Sequence, residues 1–158
     1  MIKDKDTVNI RPIMNDEWDD AMRLAWDTFL IFEAPDYSLR GVYNFKNFVR
    51  DPLLKKMHTY GEYIAIGAFI NERMVGILGV RNVNHISLLF VDRDFHRQGI
   101  ASLLVNSFFK NARKDGITHV TVNSSPYAVG FYHRLGFMDV KEEIEKDGIR
   151  FTPMRMEL

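Results

Sequence analysis

The 158-residue chain contains no cysteine. That excludes a disulfide framework, a thiolate metal site and a catalytic thiol. It carries no excess charge, since 21 Lys and Arg balance 21 Asp and Glu. The electrostatic case for a nucleic-acid or anionic-membrane partner is therefore missing. No apolar run approaches the roughly 20 residues needed to span a bilayer. The five histidines show no ligand pairing such as His-Glu-x-x-His, and there is no Gly-x-x-x-x-Gly-Lys-Ser/Thr phosphate loop. No repeat, low-complexity tract or Pro/Gly-rich linker divides the chain. The charged opening, residues 1–6, lacks the apolar core of a signal peptide. The expectation is one soluble cytoplasmic domain over 1–158, with no metal.

What is present is an apolar content of 46%, enough to bury a full core. Residues 7–12 read as a first strand. Over 16–32, Trp18, Met22, Ala25, Trp26 and Phe29 recur at helical spacing, with Asn15 or Asp16 as the cap and Pro35 as the stop. A second helix is expected over 44–57, kinked or shortened by Pro52. Residues 63–70, 74–80 and 85–91 are β-rich runs that read as an antiparallel meander. The strongest helix is 98–114, whose wide apolar face (Ile100, Leu103, Leu104, Phe108) suits packing on a sheet. Arg113, Lys114 and Gly116 suit its C-terminal end. Residues 119–123 form another strand. Ser125-Pro126 reads as a cap and first-turn proline opening a helix that ends at Gly136. Strands 137–145 and 149–156 flank Lys146-Asp147-Gly148, a hairpin signal. Pro153 is expected near an edge or bulge. The class is mixed α/β: about seven mostly antiparallel strands flanked by about four helices.

The chemistry concentrates where the strand ending at Val91 meets the helix beginning near Gln98. The first turn of a helix offers free backbone N–H groups and a partial positive charge. Gly99 there admits an anion without a Cβ in the way, and Arg97 adds a cation. The alternative is that Gly99 serves only the turn.

The order His96-Arg97-Gln98-Gly99-Ile100-Ala101 resembles the pyrophosphate-binding signature of the GNAT superfamily of N-acetyltransferases, Gln/Arg-x-x-Gly-x-Gly/Ala. It follows Leu88-Leu89-Phe90-Val91, where that family has the strand whose backbone pairs with the pantetheine arm. Ser125 to Phe137 resembles the second signature, Asn-x-x-Ala-x-x-x-Tyr-x-x-x-Gly-Phe, through Ser125, Ala128, Tyr132, Gly136 and Phe137. The resemblance implies a GNAT-like fold and transfer of an acetyl group from acetyl-CoA to a primary amine on a small molecule or peptide. It implies coenzyme contacts by Leu89, Phe90, Val91, His96, Arg97, Gln98, Gly99, Ile100, Ala101, Ser125 and Ala128. His96 and Ser125 depart from the usual Gln/Arg and Asn at their positions.

The resemblance makes Tyr132 the acid that protonates the leaving thiolate, since a phenol of pKa near ~10 and a thiol near ~8.5 can share a proton. The plain alternative is an aromatic that packs helix to sheet. Glu33, Asp36 and Glu62 are the candidate bases, with Glu33 foremost, against a reading of Glu33 and Asp36 as solvated carboxylates at a helix end. His85 is a further titratable group, more readily structural than catalytic. Two other classes remain: an acyl-CoA sensor or scaffold that has lost turnover, and a nucleotide binder, disfavoured by the missing phosphate loop. The loops after the first helix and the last hairpin would select the acceptor. That hairpin also offers an edge to a second subunit.

Overall fold

A computed structural model describes residues 7–158; residues 1–6, read above as a charged opening, lie outside them. β1 (Asn9–Pro12), β2 (Ile64–Ile70), β3 (Arg73–Arg81) and β4 (His85–Val91) pair in succession, all antiparallel. β4 then meets β5 (His119–Ser124) in a parallel contact. The remaining strands are β6 (Met138–Asp139), β7 (Ile144–Lys146) and β8 (Ile149–Glu157). β5 pairs with β8, and β8 pairs with both β6 and β7, completing an eight-stranded sheet.

Helices α1 (Trp18–Phe32), α2 (Leu39–Val49) and α3 (Pro52–Thr59) cover one face, around Phe29, Ala65, Phe69, Ile77, Leu88 and Phe90. Helices α4 (Ile100–Lys114) and α5 (Val129–Leu135) cover the other, around Ile66, Ala68, Leu78, Val80, Val120 and Val122. Burial on both faces explains why β2 and β3 read as continuous apolar runs rather than alternating ones. Phe29 is fully buried and stacks on Phe45 of α2 at 4.0 Å, and Phe45 meets Phe90 of β4 at 5.7 Å. Burying one such ring contributes about 1.5–3 kcal/mol, and this column holds the end of α1 against β4.

Several expectations are corrected. The segment 44–57 is two helices: α2 starts at Leu39, capped by the Ser38 hydroxyl, and Pro52 opens α3, capped by the Asp51 carboxylate. Proline is tolerated in a first turn, where its missing N–H is not needed, so it starts a helix here instead of kinking one. At the start of α1 neither Asn15 nor Asp16 caps; Glu17 accepts from the Met14 N–H at 2.8 Å and pairs with Arg11 at 2.9 Å. The strand expected over 137–145 is broken into β6 and β7, giving eight strands and five α-helices among the described residues. Pro153 accounts for the break. Its carbonyl accepts from Val140 N–H, and its ring nitrogen, on the same side, has no proton to continue the ladder.

The feature that opens the molecule is a β-bulge. Val80 pairs with Ile86 but Gly79 pairs with Leu88, leaving Ser87 as the extra residue on β4. Its hydroxyl contacts the Tyr63 hydroxyl at 2.8 Å and donates to the Gly79 carbonyl at 3.4 Å. Bulges bend their strand and increase its twist. The parallel contact to β5 covers only His85 and Ile86, and past the bulge β4 and β5 separate. A cleft opens between their C-terminal ends.

Candidate functional site

The cleft is a cavity of about 580 Å3. Its walls are Phe32 and Glu33 from the end of α1, Leu89, Phe90 and Val91 from β4, and Phe95, His96, Arg97 and Gly99 from the loop. Ile100, Ala101 and Ser102 of α4 continue the wall, and Tyr127, Ala128, Gly130, Phe131 and Arg134 complete it.

The loop between β4 and α4 is built by local hydrogen bonds. Asp92 accepts from the Asp94 N–H at 2.9 Å, starting a 3-10 turn over Arg93–Phe95. Arg97 (φ 62°) and Gly99 (φ 79°) then take left-handed backbone conformations. For arginine this costs on the order of 1–2 kcal/mol, whereas Gly99 adopts it freely. α4 begins directly after Gly99 with no side-chain cap. Its first-turn N–H groups therefore lack intrahelical and side-chain acceptors. A Cβ placed on Gly99 would meet nothing within 4 Å, so the space above it is open.

His96 is held by the protein itself. Its Nε2 lies 2.6 Å from the Val91 carbonyl oxygen and so donates there, while Nδ1 is 3.5 Å from the Tyr127 hydroxyl. Phe32 stacks on both rings, at 4.5 Å from His96 and 4.9 Å from Tyr127. Three segments thus meet in one aromatic bridge at the cavity.

Glu33 keeps part of its surface accessible through the cavity, yet protein crowds its carboxyl closely. Burial raises the carboxyl to about 7; Ser125 offsets part of this and the Asp36 charge adds to it. The Ser125 hydroxyl is buried and has no partner within hydrogen-bond distance, so its pull on Glu33 is weaker than a formed hydrogen bond. Ser125 holds the cap position of the turn Pro126–Ala128 by its backbone alone, without the expected side-chain cap. α5 itself starts at Val129.

Tyr132 lies on α5 with 3% of its surface exposed, between Phe131 (5.3 Å) and Phe137 (5.2 Å). Burial first, and then the Glu33 charge, push its phenol well above the usual range. Its ring belongs to the core beside the cavity rather than to the lining.

The other candidate bases fall elsewhere. Asp36 sits 3.7 Å from Arg150 of β8, which also pairs with Glu143 at 3.1 Å. Glu62 is exposed in the turn before β2 and does not line the cavity. His85 Nδ1 lies 2.7 Å from Thr121 Oγ1 at the β4–β5 contact, and burial, helped by Arg81, lowers its pKa. It serves the strand pairing. The two segments expected to border an acceptor do meet. The Ser38 N–H donates to the Gly148 carbonyl at 3.1 Å, and Asn44 Nδ2 donates to the Asp147 carbonyl at 3.1 Å.

Residues 33–158 match the family profile described as the acetyltransferase (GNAT) domain. The chain belongs to the GNAT acetyltransferase family. Over 90 residues it is 36% identical to an uncharacterized N-acetyltransferase, YafP, of Escherichia coli, a match covering 56% of each chain. The chain thus spans little more than half the length of that relative. Its fold is similar to that of a GCN5-related N-acetyltransferase from Rhodopseudomonas palustris, with TM-score 0.83 and 20% identity over 100% of this chain and 99% of that one. It is also similar to the PaiA N-acetyltransferase from Thermoplasma acidophilum, solved in complex with coenzyme A, with TM-score 0.73 and 19% identity over 96% and 99%.

Within this GNAT domain the two sequence signatures face each other across one cavity. Sequence reasoning missed Tyr127 and Arg134, which lie inside the second signature at positions the pattern leaves open. The stretch 29–37, whose aromatics Phe29, Phe32 and Tyr37 among acids read as a pocket for a cationic amine, supplies Phe32 and Glu33 to the lining, while Phe29 is buried in the core.

Proposed function

We propose that the chain transfers an acetyl group from acetyl-CoA to a primary amine by direct attack in a ternary complex. One observation carries this reading: a carboxyl raised to about 7 and the uncapped start of a 15-residue helix share a single cavity. The groups present suit a phosphorylated thioester. The N–H groups around Arg97, Gln98, Gly99, Ile100 and Ala101 offer donors to a diphosphate at the positive end of α4. The β4 backbone at Leu89, Phe90 and Val91 offers an extended edge to a pantetheine arm, with Ser125 and Ala128 opposite. His96, both of whose ring nitrogens face protein atoms, shapes the loop rather than touching phosphate.

Acetyl-CoA, when bound, supplies the activated acyl group. An alkylammonium must lose its proton to become a nucleophile, and Glu33 is the acceptor, since a base works best with a pKa near the working pH. Tyr132 keeps its proton at all working pH values and serves as the neutral donor to charge developing on sulfur. Holding the two reactants together supplies about 7–11 kcal/mol and a positioned acid or base about 10²–10⁴-fold, so Glu33 and Tyr132 refine a rate that positioning largely sets.

A non-catalytic acyl-CoA sensor is the second reading, favoured by the absence of Tyr132 from the cavity lining. Thiol release from acetyl-CoA, followed across a panel of amines, separates the two. Release that depends on one amine class supports the transferase. Tight coenzyme binding without release across the panel supports the sensor, and no coenzyme binding overturns both.

A further inference from the structure

Two arginines line the cavity without a protein partner. Arg97, in the loop before α4, and Arg134, on α5, take part in no ion pair, side-chain hydrogen bond or cation–π contact among the described residues. The acid that shares the lining is Glu33. The cavity therefore has a carboxyl beside Phe32 and two unneutralised cations on other elements.

Arg134 is one helical turn beyond Gly130, and both line the cavity. Its Nη1 lies 3.3 Å from where a Cβ of residue 130 would stand. The guanidinium thus folds back over the bare backbone of Gly130, as a residue four positions on does along a helix face. Cations on two separate elements suit a ligand with two separate anionic groups. Coenzyme A has two: the diphosphate and the 3′-phosphate on its ribose. The start of α4 with Arg97 matches the first, which leaves Arg134 for the second.

We propose that Arg134 recognises the ribose 3′-phosphate of coenzyme A and so distinguishes it from dephospho-coenzyme A. This rests on the coenzyme reading above. Calorimetric titration of both ligands into the whole chain tests it. The unaltered protein binds coenzyme A about five- to tenfold more tightly than dephospho-coenzyme A, the range for a charge-assisted pair at an exposed side chain. Arg134→Gln abolishes that preference by weakening coenzyme A alone, and Arg134→Lys keeps part of it. Arg97→Gln weakens both ligands by the same factor, since both carry the diphosphate. Equal affinities in the unaltered protein, or equal losses for both ligands in Arg134→Gln, overturn the assignment while leaving the coenzyme reading intact. Failure of both ligands to bind the unaltered protein overturns both.

Discussion

Replacing Glu33 by glutamine should make the protein more stable at pH 8 and much less active. The carboxyl is raised from 4.5 to about 7 when folded, chiefly by burial. Below pH 4.5 it is neutral in both folded and unfolded chains and costs nothing. Between 4.5 and 7 the folded chain holds a proton that the unfolded chain releases, so stability falls as pH rises. Above 7 the loss is complete. At about 1.4 kcal/mol per pKa unit the full cost is about 3 kcal/mol, and access through the cavity lets solvent screen part of it, leaving about 1–3 kcal/mol. Glutamine, of the same shape and always neutral, escapes that cost. In a domain of this size 1 kcal/mol moves Tm by about 2–4 °C, so Glu33→Gln should melt several degrees higher than the unaltered protein at pH 8 and within a degree of it at pH 4. In parallel, kcat with a responsive amine should fall about 10²-fold or more. A melting difference that is absent at pH 8, or equal at both pH values, would refute a carboxyl held protonated by burial. Full activity in the same variant would remove Glu33 as the base.

Further outcomes follow from the same geometry. Tyr132→Phe should lower kcat about 10²-fold with coenzyme affinity unchanged; unchanged turnover removes the donor role. Ser125→Ala removes a group that pulls the Glu33 carboxyl down, so the acid limb of the kcat/KM profile should move to higher pH. A weaker coenzyme affinity with the limb in place would assign Ser125 to the pantetheine arm instead. Gly99→Ala meets no steric obstacle but forces a side chain to φ 79°. It should lose about 1–2 kcal/mol in denaturant unfolding and weaken coenzyme binding. Unchanged stability would mean that the loop relaxes to another conformation.

The sequence carried the parts of this site that local rules determine. Gly99 before an apolar helix, Asp147-Gly148 between β7 and β8, and Gly136 closing α5 each mark a left-handed backbone position that the structure contains. The α4 stripe was legible at Ile100, Leu104 and Phe108, which are buried, because a 3.6-residue period needs no knowledge of partners, but Leu103, expected on the same face, is exposed. Pro52 was misjudged because a proline marks a break without saying which helix it belongs to. The split of 137–145 lay in Pro153, more than ten positions away along the chain. The chemistry of Glu33 was less accessible still. A carboxyl after a helix reads as solvated until tertiary packing sets β4, Ser125 and Asp36 around it, and only then does its affinity for a proton rise. Behind all of these stands Ser87. A single extra residue on β4 bends it from β5, and without that bend the parallel pairing begun at His85 and Ile86 would run on to the end of β5 at Ser124. The strand edge, the start of α4 and Glu33 would then have no common space. A serine in the run His85–Val91 says nothing of this by itself. Its register is fixed by the strand across from it, where Gly79 leaves room for the Tyr63 ring and lets its hydroxyl reach Ser87.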